Sequence, residues 1–183
     1  MTTAMDLIQR EFGPGVEIDR RWCGDIAYVW TCEGWMYLAT VIDIASRRVV
    51  GWAMADHLRA ELVADALRHA VTRRRPPPGV IFHADRGSQY TSKDFRDLAA
   101  ELGVTLSLGR TGQCWDNALS ESWFSAYKTE LIHTRSWPTN ASVRWATFEY
   151  IESWYNVRRL HSSLGYCSPA DYEASQLSTT AQN

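Results

Sequence analysis

The chain has 183 residues, 45% of them hydrophobic, enough for one domain with a substantial core and strained as a reading of two. No run of about 18 apolar residues offers a membrane span, and the amino end lacks the basic-then-apolar pattern of a secretory signal, so a cytoplasmic protein is expected. A net charge of -2 lacks the strong basic excess of most nucleic-acid binders, which weakens but does not exclude a DNA-binding role, because acids gathered in one site can offset arginines spread over a face.

Residues 1 to 21 are polar and turn-rich around Gly13-Pro14-Gly15, with a short helical turn at "MDLIQREF"; they read as an arm or a linker remnant. From Trp22 the alternation of Ile26, Tyr28 and Trp30 predicts a strand. A turn at Glu33-Gly34 leads to a second strand, "WMYLATVID", and Asp43, Ser46 and two arginines separate it from a third. Three strands with no room for a helix between them predict an antiparallel meander.

Residues 59 to 72 place Leu62, Val63, Ala66, Leu67, Ala70 and Val71 on one helical face, which should cover the sheet. "RRRPPPG" ends that helix, and its arginines 73 to 75 read as a solvated helix end or a phosphate contact. "VIFHAD" is a fourth strand. Thr91, three before Asp94, is a candidate cap for the helix "KDFRDLAAEL", and "VTLSL" supplies a fifth strand.

Helices follow from 116 to 132 and from 141 to 156, separated by Pro138. Ser168, three before Asp171, starts a last short helix, and a flexible tail occupies 174 to 183. The order implies a five-stranded mixed α/β sheet flanked by helices, with additional helices at the carboxyl end. Cys23, Cys32, Cys114 and Cys167 show no close pairing, so reduced, structural cysteines are expected.

Chemistry concentrates at acids. Asp25 lies within the first strand and Asp85 where the fourth gives way to a loop; if these strands are neighbours, the two can face one another at the end of the sheet. Glu121 and Lys128, seven apart on one helix, differ by only about 20° around its axis, and Phe124 and Ser125 fall on the same side. Three convergent carboxylates repel one another unless a hard cation intervenes, and oxygen donors suit Mg²⁺ or Mn²⁺. Two such ions can serve hydrolysis or transfer at a phosphodiester. Taken singly, each acid reads more readily as a solvated or helix-capping residue than as a ligand.

"WCGDIAYVWT", "GWMYLATVIDIASRRVVGWA", "HADRGSQYTS", "TGQCWDNALSESWFSAYKTEL" and "YNVRRLHSSLGYCSPADYE", in this order over residues 22 to 173, resemble the integrase-like catalytic core of bacterial insertion-sequence transposases. The spacing matches that family's acidic signature, with 59 residues between Asp25 and Asp85 and 35 between Asp85 and Glu121. Ala84 replaces the serine usual in the family's "HSDRG"; its side chain should point away from those of His83 and Asp85.

The resemblance implies a ribonuclease-H-like fold and a DDE-type enzyme in which Asp25, Asp85 and Glu121 bind metal, two ions in the DNA-bound state. Lys128 would approach DNA phosphate. The implied chemistry is hydrolytic nicking at element ends followed by strand transfer from a 3′-hydroxyl, and the implied partners are element-end and target DNA and a second copy of the chain. Relatives carry an upstream helix-turn-helix, which is not expected upstream of residue 22. Two other readings remain: a nuclease that cuts without joining, and an inactive DNA-binding or oligomerising fragment.

Around this triad, Arg86 and Arg158 are candidate phosphate contacts, set against loop pairing and packing. His83 either positions phosphate or orders Asp85, or else packs or makes a structural hydrogen bond. Gly87 is expected to permit a turn, Asp116 or Asn117 to cap the helix carrying Glu121, and Asp43 to serve a turn. Trp123 and Phe124 are core candidates, Trp115 is a candidate stacking residue, and Trp154 and Tyr155 can anchor their helix.

Overall fold

The computed structural model describes residues 17–109 and 118–180. The expectations for "MDLIQREF", Cys114, Trp115, Asp116 and Asn117 fall outside them. Strands β1 (Arg21–Thr31), β2 (Gly34–Asp43) and β3 (Val49–Ala55) form the expected antiparallel meander. Strand β4 (Ile81–Ala84) then lies parallel to β1, and β5 (Thr105–Leu108) parallel to β4, giving the order β3-β2-β1-β4-β5.

Helix α1 (Ala60–Arg74) bridges β3 and β4, burying Leu62, Val63, Ala66, Leu67 and Ala70 against Trp22, Val41 and Phe82. It ends where Arg75 turns left-handed, ahead of three prolines. A short helix α2 (Ser88–Thr91) precedes α3 (Lys93–Glu101), which packs on the same face through Phe95, Leu98 and Ala99. The cap of α3 differs from expectation: Ser92 accepts the Phe95 N–H. Thr91 instead closes α2, its hydroxyl bonded back to the Gly87 carbonyl.

The opposite face of the sheet carries α4 (Ala118–Glu130) and α5 (Asn140–Glu149), which runs on through wider π-type turns over Tyr150–Tyr155. Trp123, Phe124, Tyr127, Tyr150 and Tyr155 pack there on Cys23, Ala27 and Leu38. Thr139 and Ser142 cap α5 reciprocally, which sets its start. Asn156 donates to the Val49 carbonyl and accepts the Val49 N–H, both at 3.0 Å, satisfying the outer edge of β3. Tyr155 and Asn156 are therefore packing residues.

Helix α6 (Pro169–Thr180) starts at Ser168, whose hydroxyl caps the Asp171 N–H, and runs longer than the short helix expected. Its Glu173 meets Arg74 and Arg48 at 2.8 and 2.7 Å, Arg74 also binds Asp19, and Arg73 grips Glu152 through two 2.7 Å bonds. Arg73 and Arg74 are thus cross-links between distant segments rather than a solvated helix end. Among the described residues no helix is long and apolar enough to cross a membrane. Cys23, Cys32 and Cys167 are free thiols.

Candidate active site

The β1–β4 register pairs Cys23 with His83, so Asp25 and Asp85, each two residues further on, are carried to the same level, Asp25 midway along β1 and Asp85 just past the end of β4. Gly24 makes that alignment tight: a Cβ there would lie 2.3 Å from the Phe82 ring, which fills the space under β1 beside Asp25. Beyond Cys23 no described strand covers this edge of β1, and the Ile26 N–H turns to the Asp25 carboxylate at 2.8 Å.

Asp25 is half-buried, and its carboxyl is pushed up to about 6 from the ordinary aspartate range. Burial is the largest cause; the charges of Asp85 and Glu121 push the same way, and the Ile26 N–H and the Lys128 ammonium oppose them. Asp25, Asp85, Glu121 and Lys128 therefore share one electrostatic neighbourhood. Asp85 and Glu121 are exposed, facing solvent from a loop and from the first turns of α4.

Asp85 is held from its own loop. Its Oδ1 accepts the Gly87 N–H at 2.8 Å, and a Cβ on Gly87 would stand 2.9 Å from that same oxygen. Gly87 has φ -56°, open to any residue, so the glycine leaves room for the carboxylate rather than permitting an unusual turn. Arg86 Nε donates to the Gly109 carbonyl at 2.8 Å, tying this loop to the end of β5. His83 is buried with Nδ1 at 3.0 Å from Ser107 Oγ, a structural contact, and Ala84 is buried on the opposite face with Phe82.

Other expectations sort cleanly. Phe124 is buried at 6% exposure whereas Ser125 is exposed, so two residues that a helical projection puts together are divided between core and solvent. Asp43 is fully buried, accepting from Ser46 and from the Asp19 N–H, a turn residue as expected. Arg158 lines a separate groove of about 680 Å³ with Trp145 and Trp154.

Sequence reasoning gave no role to Tyr90. Its ring packs between Phe82 and Phe95, while its buried hydroxyl has no hydrogen-bond partner among the described residues. Burial, then the charges of Asp25 and Asp85, push this phenol upward. The signal available in the sequence was a hydroxyl-bearing aromatic five residues after Asp85, in a stretch that reads equally as core.

Among the described residues, no three His, Cys, Asp or Glu side chains close into a metal-holding group. The donor set still suits a hard divalent ion: all-oxygen ligands, a half-buried acid raised by like charges, and a glycine clearing space at Asp85.

The chain matches a family model described as integrase core domain over residues 17–114, and a second of the same description over residues 102–169. It is 42% identical over 152 residues to the transposase for insertion sequence element IS904 of Lactococcus lactis, covering 83% of this chain and 60% of that protein. It is 41% identical over 175 residues to the transposase InsF for insertion sequence IS3A of Escherichia coli, covering 94% and 59%. The chain thus spans about three fifths of the length of the curated relatives it matches. Among solved structures, the HTLV-2 integrase catalytic core domain in complex with magnesium, in its trimeric form, superposes with a TM-score of 0.65 at 14% identity, over 86% of this chain and 98% of that one. The simian T-cell lymphotropic virus intasome gives the same TM-score at 17% identity, over 87% and 55%. At such identities the likeness establishes the fold.

Proposed function

Because the chain belongs to the integrase core domain family, we propose that it is the catalytic core of a DDE-type DNA transposase, cutting phosphodiesters at element ends and joining a 3′-hydroxyl to target DNA. Asp25, Asp85 and Glu121 are its acidic ligands for Mg²⁺ or Mn²⁺. The observation that carries this reading is the shared field of these acids: Asp25, aligned with Asp85 across β1 and β4, is raised by burial and by the charges of Asp85 and Glu121. A site that raises the charge cost of its own carboxylates is suited to a cation and then to a phosphate.

Each residue has a task. Asp25 supplies the least mobile ligand, fixed by the strand and by the Ile26 N–H. Asp85 is oriented by the Gly87 N–H. Glu121 comes from α4, two turns before Lys128, so the helix delivers a ligand and a phosphate-binding cation to the same cleft. Arg86 and Arg158 are further phosphate contacts, Arg86 beside the acids and Arg158 on a more distant part of the surface. When bound, the metal supplies charge neutralisation at the phosphodiester and a lowered pKa for the attacking water or 3′-hydroxyl. Element-end DNA, target DNA and a second copy of the chain are the partners this function requires.

The test uses a precut element-end oligonucleotide, target DNA and Mg²⁺ or Mn²⁺, comparing wild type with Asp85→Asn and Glu121→Gln. Joined product from the wild type, lost in both variants while DNA binding and melting temperature persist, supports the reading. Cleavage without joining would assign the chain to the nucleases, and joining unaffected by either change would remove the acids from the mechanism.

A further inference from the structure

At the β1–β2 turn, Tyr28 pairs with Tyr37 and Trp30 with Trp35, so pleat alternation lays four aromatic side chains on one face of the hairpin. Tyr28, Trp30 and Trp35 are 57%, 58% and 48% exposed, although their rings meet edge to face at 5.0 and 5.8 Å. A packing role leaves these outward surfaces unexplained, and large exposed rings clustered on one strip signal an occupant.

The rings open on a groove of about 610 Å³ whose other wall carries Lys128, His133 and Arg135. The Lys128 ammonium stands 5.6 Å from the centre of the Tyr28 ring, and the Arg135 guanidinium 4.4 Å from that of Trp137. Among the described residues no carboxylate lines the groove, in a chain whose net charge is -2. An apolar partner surface would make no use of these cations, whereas a nucleic-acid strand brings flat bases for the rings and phosphates for the cations.

The groove and the candidate active site share Lys128. Asp25 lies on the other face of β1, but no described strand covers the outer edge of β1 beyond Cys23. Lys128 crosses that edge, within electrostatic reach of Asp25 and over the ring of Tyr28. Along the strand, Tyr28 is about 10 Å from Asp25.

We propose that the hairpin groove formed by Tyr28, Trp30 and Trp35, with Lys128 and Arg135, is a stacking site for unpaired nucleotides of the DNA strand adjoining the reacting phosphodiester. Bases splayed from the duplex lie against the aromatic strip, and their phosphates follow the cations round the edge of β1. Which DNA reaches the groove rests on the transposase reading; the stacking itself needs none of the three acids.

The test compares, in EDTA, the affinity for a blunt duplex with that for the same duplex carrying an unpaired thymidine tail of about five nucleotides. Wild type and Asp85→Asn should both bind the tailed form roughly tenfold tighter or more, as one or two stacked bases provide. Trp30→Leu and Trp35→Leu should lose that preference with blunt-duplex affinity kept, and Trp30→Phe and Trp35→Phe should retain it. Because Trp30 and Trp35 support each other across the hairpin, a second readout uses the unaltered protein: a tail bearing 5-iodouracil should photo-crosslink to Tyr28, Trp30 or Trp35. Equal affinity for both duplexes, leucine variants that keep the preference, or crosslinks elsewhere would overturn the proposal. So would leucine variants that lose self-association in sedimentation while keeping the tail preference, an outcome that gives the groove to a second copy. A wild type that joins no DNA yet prefers the tail would sink the transposase reading and leave the stacking site standing.

Discussion

Asp25 and Asp85 each stand two residues beyond Cys23 and His83, which pair across the parallel strands β1 and β4. Asp25 bears the cost of that alignment, with its carboxyl raised to about 6 by burial and by its acidic neighbours. For a carboxylate raised on folding, the native state holds the proton more tightly than the unfolded chain. Stability is therefore lost as pH climbs from about 4 to about 6, and the penalty is present in full above that. Asp25→Asn should accordingly stabilise the fold at pH 7.5 by about 1–3 kcal/mol and give no benefit near pH 4. Melting temperature against pH for the two proteins checks this.

Asp43 is the contrasting case. Its carboxyl is likewise raised to about 6 by burial, but its oxygens accept bonds from Ser46 and from the Asp19 N–H. An asparagine amide cannot accept at both positions, so the lost bond should offset the relief of charge burial, and Asp43→Asn should gain less at pH 7.5 than Asp25→Asn. Chemical denaturation of the two asparagine variants side by side should give Asp43→Asn the less favourable shift.

The strand and helix order was legible because the periodicities are clean: alternation through Ile26, Tyr28 and Trp30, and a helical stripe from Leu62 to Ala70. The neighbourhood of Asp25 and Asp85 was legible only as a condition, since strand order is set by crossovers that no local pattern encodes. Arg73 and Arg74 could not be read from their surroundings, because Glu152 and Glu173 lie 79 and 99 residues away. Thr91 and Ser92 are chemically equivalent caps, and the short helix α2 decides between them by claiming Thr91. Tyr90 was hidden because an aromatic side chain among apolar residues looks like core, and its ring is core; only the end of its side chain is unusual.

Arg74 bridges Asp19 and the mostly buried Glu173. Burial works to raise Glu173, but the hydrogen bonds and charge of Arg74 outweigh it, and the carboxyl sits below the usual glutamate range. A lowered carboxylate contributes stability above its unfolded pKa and loses it as pH falls through the folded one. Arg74→Met should destabilise by about 2–4 kcal/mol at pH 7. Urea titrations should show the gap narrowing in acid, below the ordinary glutamate range.

Gly87→Ala separates the acid's position from the fold. The backbone there suits alanine, but the new methyl would crowd Asp85 Oδ1 at 2.9 Å. Stability should change by less than about 1 kcal/mol, because a side-chain end can yield. Strand transfer and Mn²⁺ affinity by calorimetry should each fall roughly tenfold or more, as expected for a displaced metal ligand.

The most direct measurement is a Mn²⁺ anomalous difference map of the protein bound to element-end DNA. The account predicts manganese peaks about 2.0–2.6 Å from carboxylate oxygens of Asp25, Asp85 and Glu121, the range spanned by hard divalent ions. Manganese bound elsewhere, or α4 fully ordered with the Glu121 carboxylate turned from the other two, would contradict it.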